Sequence, residues 1–161
     1  MMSLFPNRIS WDVPEAPHPG SYGAVRRHDR HTGVDIYVPE GTPVYALEDC
    51  RIISVSYFTG PNAKPPCPWW EETWAVTVIN KSSTYLLYGE LTPVVLEHDQ
   101  RKAGDIIGYI KRVLKTDKGL PVSMLHVEMY SHLLDEHPYW HHDEPSPYGL
   151  LDPTSYLKQF K

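Results

Sequence analysis

Two histidines and an aspartate stand out as side chains that could hold a metal ion. His31 and Asp35 flank Gly33 in a segment typical of a β-strand. Side chains at positions i and i+4 of a strand share one face, and Gly33 would leave room between them for an ion. His126 lies in a distant segment of the same character. Ligands of these three types leave one tetrahedral position open, as in catalytic zinc sites.

The spacing of His31 and Asp35 is weak evidence when taken alone. A chain with 9 histidines and 20 acidic residues produces such a spacing by chance. The simpler interpretation is a surface pair of His31 and Asp35, with His126 as a hydrogen-bonded histidine of the core. The residues by themselves therefore leave both interpretations open.

Six short motifs, in a fixed order, resemble the lysostaphin/LytM family of zinc metalloendopeptidases. The resemblance extends from about residue 20 to residue 157, and the motifs are His31–Asp35, Gly41–Ala46, Tyr88–Leu91, Gly104–Gly108, Met124–Glu128 and Asp152–Leu157. It implies one peptidase-like domain over residues 1–161. It also implies an all-β fold, a mostly antiparallel sandwich or barrel-like hybrid with long irregular loops. The implied cofactor is Zn²⁺, bound by His31, Asp35 and His126.

Two positions depart from the pattern of this family. The family usually carries a histidine where this chain has Glu90, and another where it has Met124. In the family these imidazoles flank the water that attacks the peptide carbonyl. A carboxylate within hydrogen-bond reach of that water can act as the general base, so Glu90 is the candidate base. The alternatives are that Glu90 orients a ligand or faces solvent, and Met124 is interpreted as an apolar wall.

Tyr88 and Glu128 complete the candidate site. Tyr88 is expected on the strand face of Glu90. Glu128 is expected on the face of His126, where it either fixes the tautomer of the imidazole or forms an ordinary ion pair.

The resemblance implies a zinc metallopeptidase that hydrolyses peptide bonds in peptidoglycan cross-bridges or stem peptides. One alternative is a catalytically silent zinc-binding relative that acts as a binding or regulatory module. The other is a metal-free β domain that keeps only the fold, which the surviving set of ligand types argues against.

Composition narrows the classes of partner. The net charge of −5 and pI near 6.0 argue against nucleic acid, and no stretch approaches the roughly 18 apolar residues of a membrane span. Residues 1–8 lack a secretory signal pattern, so we expect a chain that is cytoplasmic as synthesised, with non-classical export or phage-linked release as routes outward. Cys50 and Cys67 are then expected to be free thiols, and the oligomeric state is left open.

Alternating apolar and polar residues predict short strands and little helix. The predicted strands are Val34–Val38, Pro43–Leu47, Arg51–Phe58, Trp74–Ile79, Thr84–Leu91, Asp105–Lys111 and Met124–Tyr130. A terminal helical turn is expected around Lys158.

Two long stretches of the sequence read as loops. Residues 60–73 contain Trp69 and Trp70, which either stack on a ligand or pack on the sheet. Residues 132–149 contain four histidines and are expected to be a solvated, slightly acidic loop.

Overall fold

Within residues 2–161, which this computed structural model describes, a sheet of nine short strands forms the framework. The strands are β1 (Val34–Tyr37), β2 (Pro43–Tyr45), β3 (Cys50–Thr59), β4 (Thr73–Asn80), β5 (Tyr85–Pro93), β6 (Gln100–Arg101), β7 (Ile106–Ile110), β8 (Met124–Tyr130) and β9 (Leu150–Leu151). A short helix, α1 (Thr154–Lys158), follows β9. The strand pairs are antiparallel, which confirms the expected all-β architecture.

The path through the sheet brings distant parts of the chain side by side. Its order is β1-β8-β5-β4-β3-β6, and β2 joins through β7, which pairs with β5. Asp35 on β1 faces His126 on β8 in the antiparallel register. The topology therefore supplies the contact between the two motifs that sequence spacing cannot provide.

Alternation along β1 and β8 separates the core face of the sheet from a polar face. Val34 and Ile36 on β1, like Leu125 and Val127 on β8, belong to the main hydrophobic core. The residues between them point to the opposite face. As a result Asp35 and His126 share one face, with Glu128 following on β8.

Strand β5 changes its pairing partner within the candidate site. It pairs with β8 up to Gly89, opposite His126, and with β7 from Leu91 onward. At the same point the register against β4 shifts by a bulge between Trp74 and Val76. Glu90 lies in this fork and has a φ of 67°, in the left-handed region. Bulges of this kind redirect a side chain that simple alternation would place elsewhere.

Most of the predicted strands are confirmed to within two residues at each end. Strand β8 has the predicted bounds, and α1 includes Lys158 as expected. Strands β6 and β9 were not predicted, because two residues are too few to show an alternating pattern.

The two long loops lie where the sequence indicated. Trp69 is 64% exposed, whereas Trp70 is half-buried and forms an isolated bridge with Leu114. Cys50 and Cys67 are both free thiols, as expected. Across residues 2–161, α1 is much too short to cross a bilayer and no other helix qualifies.

Candidate metal centre

Three buried side chains converge on one point between β1 and β8. His31 Nε2 and His126 Nδ1 lie 3.2 Å apart. Asp35 Oδ1 lies 3.2 Å from the first nitrogen and 2.8 Å from the second. No other group of His, Cys, Asp or Glu side chains within residues 2–161 is arranged to hold a metal ion. The structure thus brings together the three residues that the sequence selected.

Hydrogen bonds on the outer side of each ring fix which nitrogen faces inward. His31 Nδ1 lies 3.0 Å from the carbonyl oxygen of Ser21, an acceptor, so Nδ1 carries the proton. His126 Nε2 lies 2.8 Å from Glu128 Oε1 and donates to it. In the neutral tautomers, His31 Nε2 and His126 Nδ1 therefore present lone pairs to the centre, as in other histidine-ligated metal sites.

This arrangement fits a tetrahedral zinc ion. Ligand atoms on a zinc with bonds of about 2.0–2.1 Å are roughly 3.3–3.4 Å apart. The three donor atoms here are separated by 2.8 to 3.2 Å, so a few tenths of an ångström of expansion would admit the ion. Two lone pairs and a carboxylate oxygen that point at one another also repel unless a cation lies between them. The donor set is therefore suited to zinc.

A proton can occupy the same place as the metal. Burial lowers the pKa of the His126 imidazole, but hydrogen bonds to Asp35 and Glu128 outweigh burial and raise it to about 10. Burial also opposes ionisation of Asp35, yet the hydrogen bond from His126, together with the adjacent His31 imidazole, holds the pKa of that carboxyl well below its usual range. The metal-free centre is accordingly an imidazolium–carboxylate pair at neutral pH.

Zinc binding should therefore release a proton from His126. Because the pKa of this imidazole is raised to about 10, the metal-free ring is protonated at pH 7 and zinc must displace that proton. As the pH is lowered below 10, the apparent affinity for zinc should then fall about tenfold per pH unit, because zinc competes with a proton for His126. Calorimetry in buffers of different ionisation enthalpy measures the proton count. A Glu90→Gln background keeps the carboxyl at position 90 from contributing, and zero protons released would contradict this account.

The local geometry of the first motif differs from the expected one. Strand β1 begins at Val34, so His31 lies just before a bend at Thr32 and Gly33 rather than on a strand face with Asp35. Gly33 does not serve to make room for an ion. A Cβ on Gly33 would lie 2.2 Å from the carbonyl oxygen of Val127, so the glycine permits close approach to β8. The glycine therefore allows the bend before β1 to pack directly against β8.

Glu128 is the buried carboxylate that accepts a hydrogen bond from Nε2 of His126. Its side chain is fully buried, and Oε1 accepts hydrogen bonds from Thr32 Oγ1 at 2.6 Å and His137 Nε2 at 2.7 Å as well as from His126. Tyr130 donates to Oε2. Burial disfavours the charged form, but His137 and His126 hold the pKa of the Glu128 carboxyl well below its usual range. Glu128 is thus an ionised anchor for the ligand imidazole.

His137 shows that the loop after β8 is not simply solvated. Its imidazole is 43% exposed and reaches back to Glu128, and its ring meets Phe58 edge-on at 5.7 Å. Phe58 also packs on His126, with ring centroids 5.3 Å apart. The sequence offered no periodic signal for this contact, because His137 lies in an irregular loop.

Glu90 is buried beside the three converging side chains. Its Oε2 has no hydrogen-bond partner among residues 2–161. Burial, and then the negative charge of Asp35, raise the pKa of the Glu90 carboxyl to about 8, while His126 and Arg26 act in the opposite direction. An unpartnered buried oxygen is costly in a native fold and calls for an external partner such as water or a substrate.

The structure does not bring Tyr88 into this cluster. Tyr88 pairs with Val127 on the core face of the sheet and is fully buried among apolar side chains. Its hydroxyl oxygen accepts a hydrogen bond from the backbone N–H of Leu47 at 3.4 Å. The bulge at Glu90 is the physical reason, because it breaks the alternation that would have kept Tyr88 and Glu90 on one face. Met124 is half-buried and lies opposite Tyr37, on the face of His126.

A pocket borders the Asp35 side of the centre. It has a volume of about 630 Å³ and is lined by Asp35, Tyr37 and His18 together with residues of the N-terminal segment and Lys158. The His18 ring lies against Tyr37, with centroids 5.5 Å apart, and His18 Nδ1 accepts from the backbone N–H of Gly20. His18 therefore borders the site, whereas His28 contributes its carbonyl oxygen to a hydrogen bond from Tyr139.

Comparison with known proteins assigns this arrangement to a family. Residues 29–138 match peptidase family M23, a stretch that contains all three converging side chains. The chain belongs to peptidase family M23. None of the curated proteins matches the sequence of this M23 chain.

Solved structures share the fold of this M23 domain at low sequence identity. The catalytic domain of the antimicrobial peptidase lysostaphin from Staphylococcus simulans is 19% identical, with a TM-score of 0.60 and 94% of each chain covered. The prophage-encoded M23 protein EnpA from Enterococcus faecalis is 18% identical, with a TM-score of 0.57 and 96% of each chain covered. LytU is 20% identical, with a TM-score of 0.57, covering 93% of this chain and 86% of that one.

The chain spans half of the longer lysostaphin structure, covering 50% of that protein. At these identities the likeness establishes the fold. The resemblance to the lysostaphin/LytM type that the motifs indicated is thereby confirmed.

Proposed function

We propose that this M23 domain is a zinc-dependent endopeptidase that hydrolyses peptide bonds in peptidoglycan cross-bridges or stem peptides. The observation that carries the proposal is the convergence of His31 Nε2, Asp35 Oδ1 and His126 Nδ1, with the other nitrogen of each ring hydrogen-bonded to an acceptor outside the centre. A zinc ion held there would polarise a peptide carbonyl and make water a stronger nucleophile. The remaining chemistry belongs to the side chains around it.

Glu90 is the residue that we assign to proton transfer. Its carboxyl is buried next to the centre, has an oxygen without a hydrogen-bond partner among residues 2–161, and has a pKa raised to about 8. A group that titrates near neutral pH can take a proton from an attacking water and later give it to the leaving amine. Glu90 thus replaces, in this proposal, the imidazole that relatives usually carry at this position.

The open pocket beside Asp35 is the proposed place for one side of the peptide. Of the three converging residues, Asp35 lines this pocket, and the lining also includes aromatic and charged side chains. Peptidoglycan peptides are the proposed substrates because the family and the lysostaphin-like fold are shared with an antimicrobial peptidase.

A second candidate is a zinc-binding module without catalysis. It is favoured by Met124, whose thioether can neither transfer a proton nor stabilise an oxyanion. Loss of one such stabilising group typically costs about 10²–10³ in rate. The Glu90 oxygen, which has no hydrogen-bond partner in the described part of the chain, favours the enzyme, because a purely structural site has no use for such a buried carboxyl oxygen.

Hydrolysis of purified peptidoglycan separates these two candidates. The chain is loaded with one equivalent of zinc and incubated with glycine-bridged and with directly cross-linked peptidoglycan, and new amino termini are measured. We expect release of amino groups from at least one of them and none from the metal-stripped chain. Stoichiometric zinc without release from either substrate would favour the silent module.

A further inference from the structure

A basic segment borders the metal centre, although the chain as a whole carries a net charge of −5. Arg26, Arg27 and Arg30 lie within six residues that end at His31. Arg30 is committed to the fold, since Nε donates to the carbonyl oxygen of His142 at 2.8 Å and Nη1 to that of Gly23 at 3.2 Å. Arg26 and Arg27 are exposed.

Arg26 alone of these arginines reaches the proposed metal ligands. Its Nη2 donates to Asp35 Oδ2 at 2.9 Å and to the carbonyl oxygen of Pro19 at 3.2 Å. The Arg26 side chain is 41% exposed, whereas that of Asp35 is 6% exposed. Arg26 therefore holds the outer oxygen of Asp35 and leaves Oδ1 to the centre.

The Arg26 guanidinium has N–H groups that make no hydrogen bond within residues 2–161. Both N–H bonds of Nη2 are used, while Nε and Nη1 donate to no acceptor among residues 2–161. A half-exposed guanidinium with N–H groups that make no hydrogen bond within residues 2–161 can bind an oxyanion such as a carboxylate.

The turn that carries Arg26 is held in place before any ligand arrives. The backbone N–H of Arg26 donates to the Asp29 carbonyl oxygen at 2.8 Å, and Val25 bridges to Arg30. From the other side, His142 Nε2 donates to the Arg26 carbonyl oxygen at 2.6 Å. A fixed backbone reduces the entropy that a ligand must overcome to bind.

We propose that Arg26 binds a carboxylate of the substrate close to the scissile bond. The substrates would then be peptides with a free carboxylate next to the cleaved bond, either at the C-terminus or on an acidic side chain. Zinc and Arg26 together would balance the charges of Asp35, Glu90 and Glu128, so the attraction for an anionic group comes from the exposed Arg26 guanidinium itself rather than from a net positive charge. This inference rests on the proposed function and narrows its substrate class.

Peptide binding tests the inference independently of hydrolysis. The zinc-loaded chain in a Glu90→Gln background is titrated by calorimetry with two pairs of probes. The first pair is acetyl-pentaglycine with a free C-terminus and its amide. The second is acetyl-Gly-Gly-Glu-Gly-Gly-amide and its glutamine counterpart. We expect the carboxylate member of at least one pair to bind about tenfold tighter, and the pair that responds identifies the source of the carboxylate.

Arg26→Gln and Arg27→Gln form a matched comparison, since each removes one exposed positive charge from the same turn. Arg26→Gln should abolish the carboxylate preference, whereas Arg27→Gln should keep most of it. Zinc stoichiometry is measured for every variant, because Arg26 also holds Asp35. Arg26→Lys, which keeps the charge, should retain part of the preference if Asp35 is undisturbed.

Three results would overturn the inference: equal affinity within both pairs, equal loss of preference in the two glutamine variants, or no binding of any probe. The proposed function is tested separately, by hydrolysis rather than by carboxylate preference. Hydrolysis without a carboxylate preference removes the role of Arg26 and leaves the peptidase. A carboxylate preference without hydrolysis removes the peptidase and leaves the binding site.

Discussion

The His126→Ala variant is expected to lose stoichiometric zinc. His126 supplies the donor atom from β8, and without it only His31 and Asp35 remain, both from one short segment. Loss of a residue that hydrogen-bonds to a metal ligand typically lowers metal affinity by about 10–100-fold. Removal of a ligand itself should therefore lower zinc affinity by more than about 100-fold. Metal content after dialysis, measured by mass spectrometry, gives the result directly.

His98→Asn is the matched control for the loss of an imidazole. His98 is exposed, lies far from the centre in sequence, and has a φ of 73°, a conformation that asparagine tolerates. This variant should keep one zinc per chain. Asp35→Asn tests the same site with little change in volume and should also release zinc. Retention of stoichiometric zinc in both site variants would show that the three side chains are not the ligands.

Glu90→Gln is expected to lower the rate of hydrolysis by about 10²–10⁴-fold, the range typical of a lost general base. The substitution keeps the size of the side chain and removes its ability to exchange a proton. Zinc content should stay at one per chain, since Glu90 is not among the converging donors. Initial rates of amino-group release compare the variant with the wild type.

The same substitution should raise the stability of the metal-free protein at alkaline pH. The pKa of the Glu90 carboxyl is raised to about 8 in the fold, from an ordinary value of 4.5. Folding therefore favours the protonated form, and the cost grows as pH rises from 4.5 through about 8. Glutamine escapes this cost, so the gain in Tm should be larger at pH 9 than at pH 5. The exposed Glu136→Gln should change neither rate nor Tm, and full activity in Glu90→Gln would remove this residue from the mechanism.

The sequence was sufficient for the fold and for the three converging side chains. Alternation of apolar residues located β1 and β8, and the motifs selected Asp35 and His126, which the structure then places opposite each other on these adjacent strands. The alternation of apolar residues is a local, periodic signal, and the ligand residues were indicated by several motifs taken together. Both signals can be read from the sequence without coordinates.

Other parts of the site depend on geometry that no periodicity encodes. Tyr88 was expected beside Glu90, and a single extra residue in β5 sent the two to opposite faces. Arg26 and His137 reach the site from irregular segments, where side-chain direction follows from the particular path of the loop. The basic composition around Arg26 was visible in the sequence, but its contact with Asp35 was not.

The pairing of Asp35 with His126 has a consequence for when the proposed metal could bind. The two residues are 91 positions apart, and their strands become neighbours only after most of the chain is in place. During synthesis, the nascent polypeptide offers an incomplete set of donors until β8 has left the ribosome. Contacts that span so much chain form late and slowly. If the proposed zinc site is correct, metallation would be a final step of maturation, and a chain that stalls before β8 emerges would lack one of the three ligands.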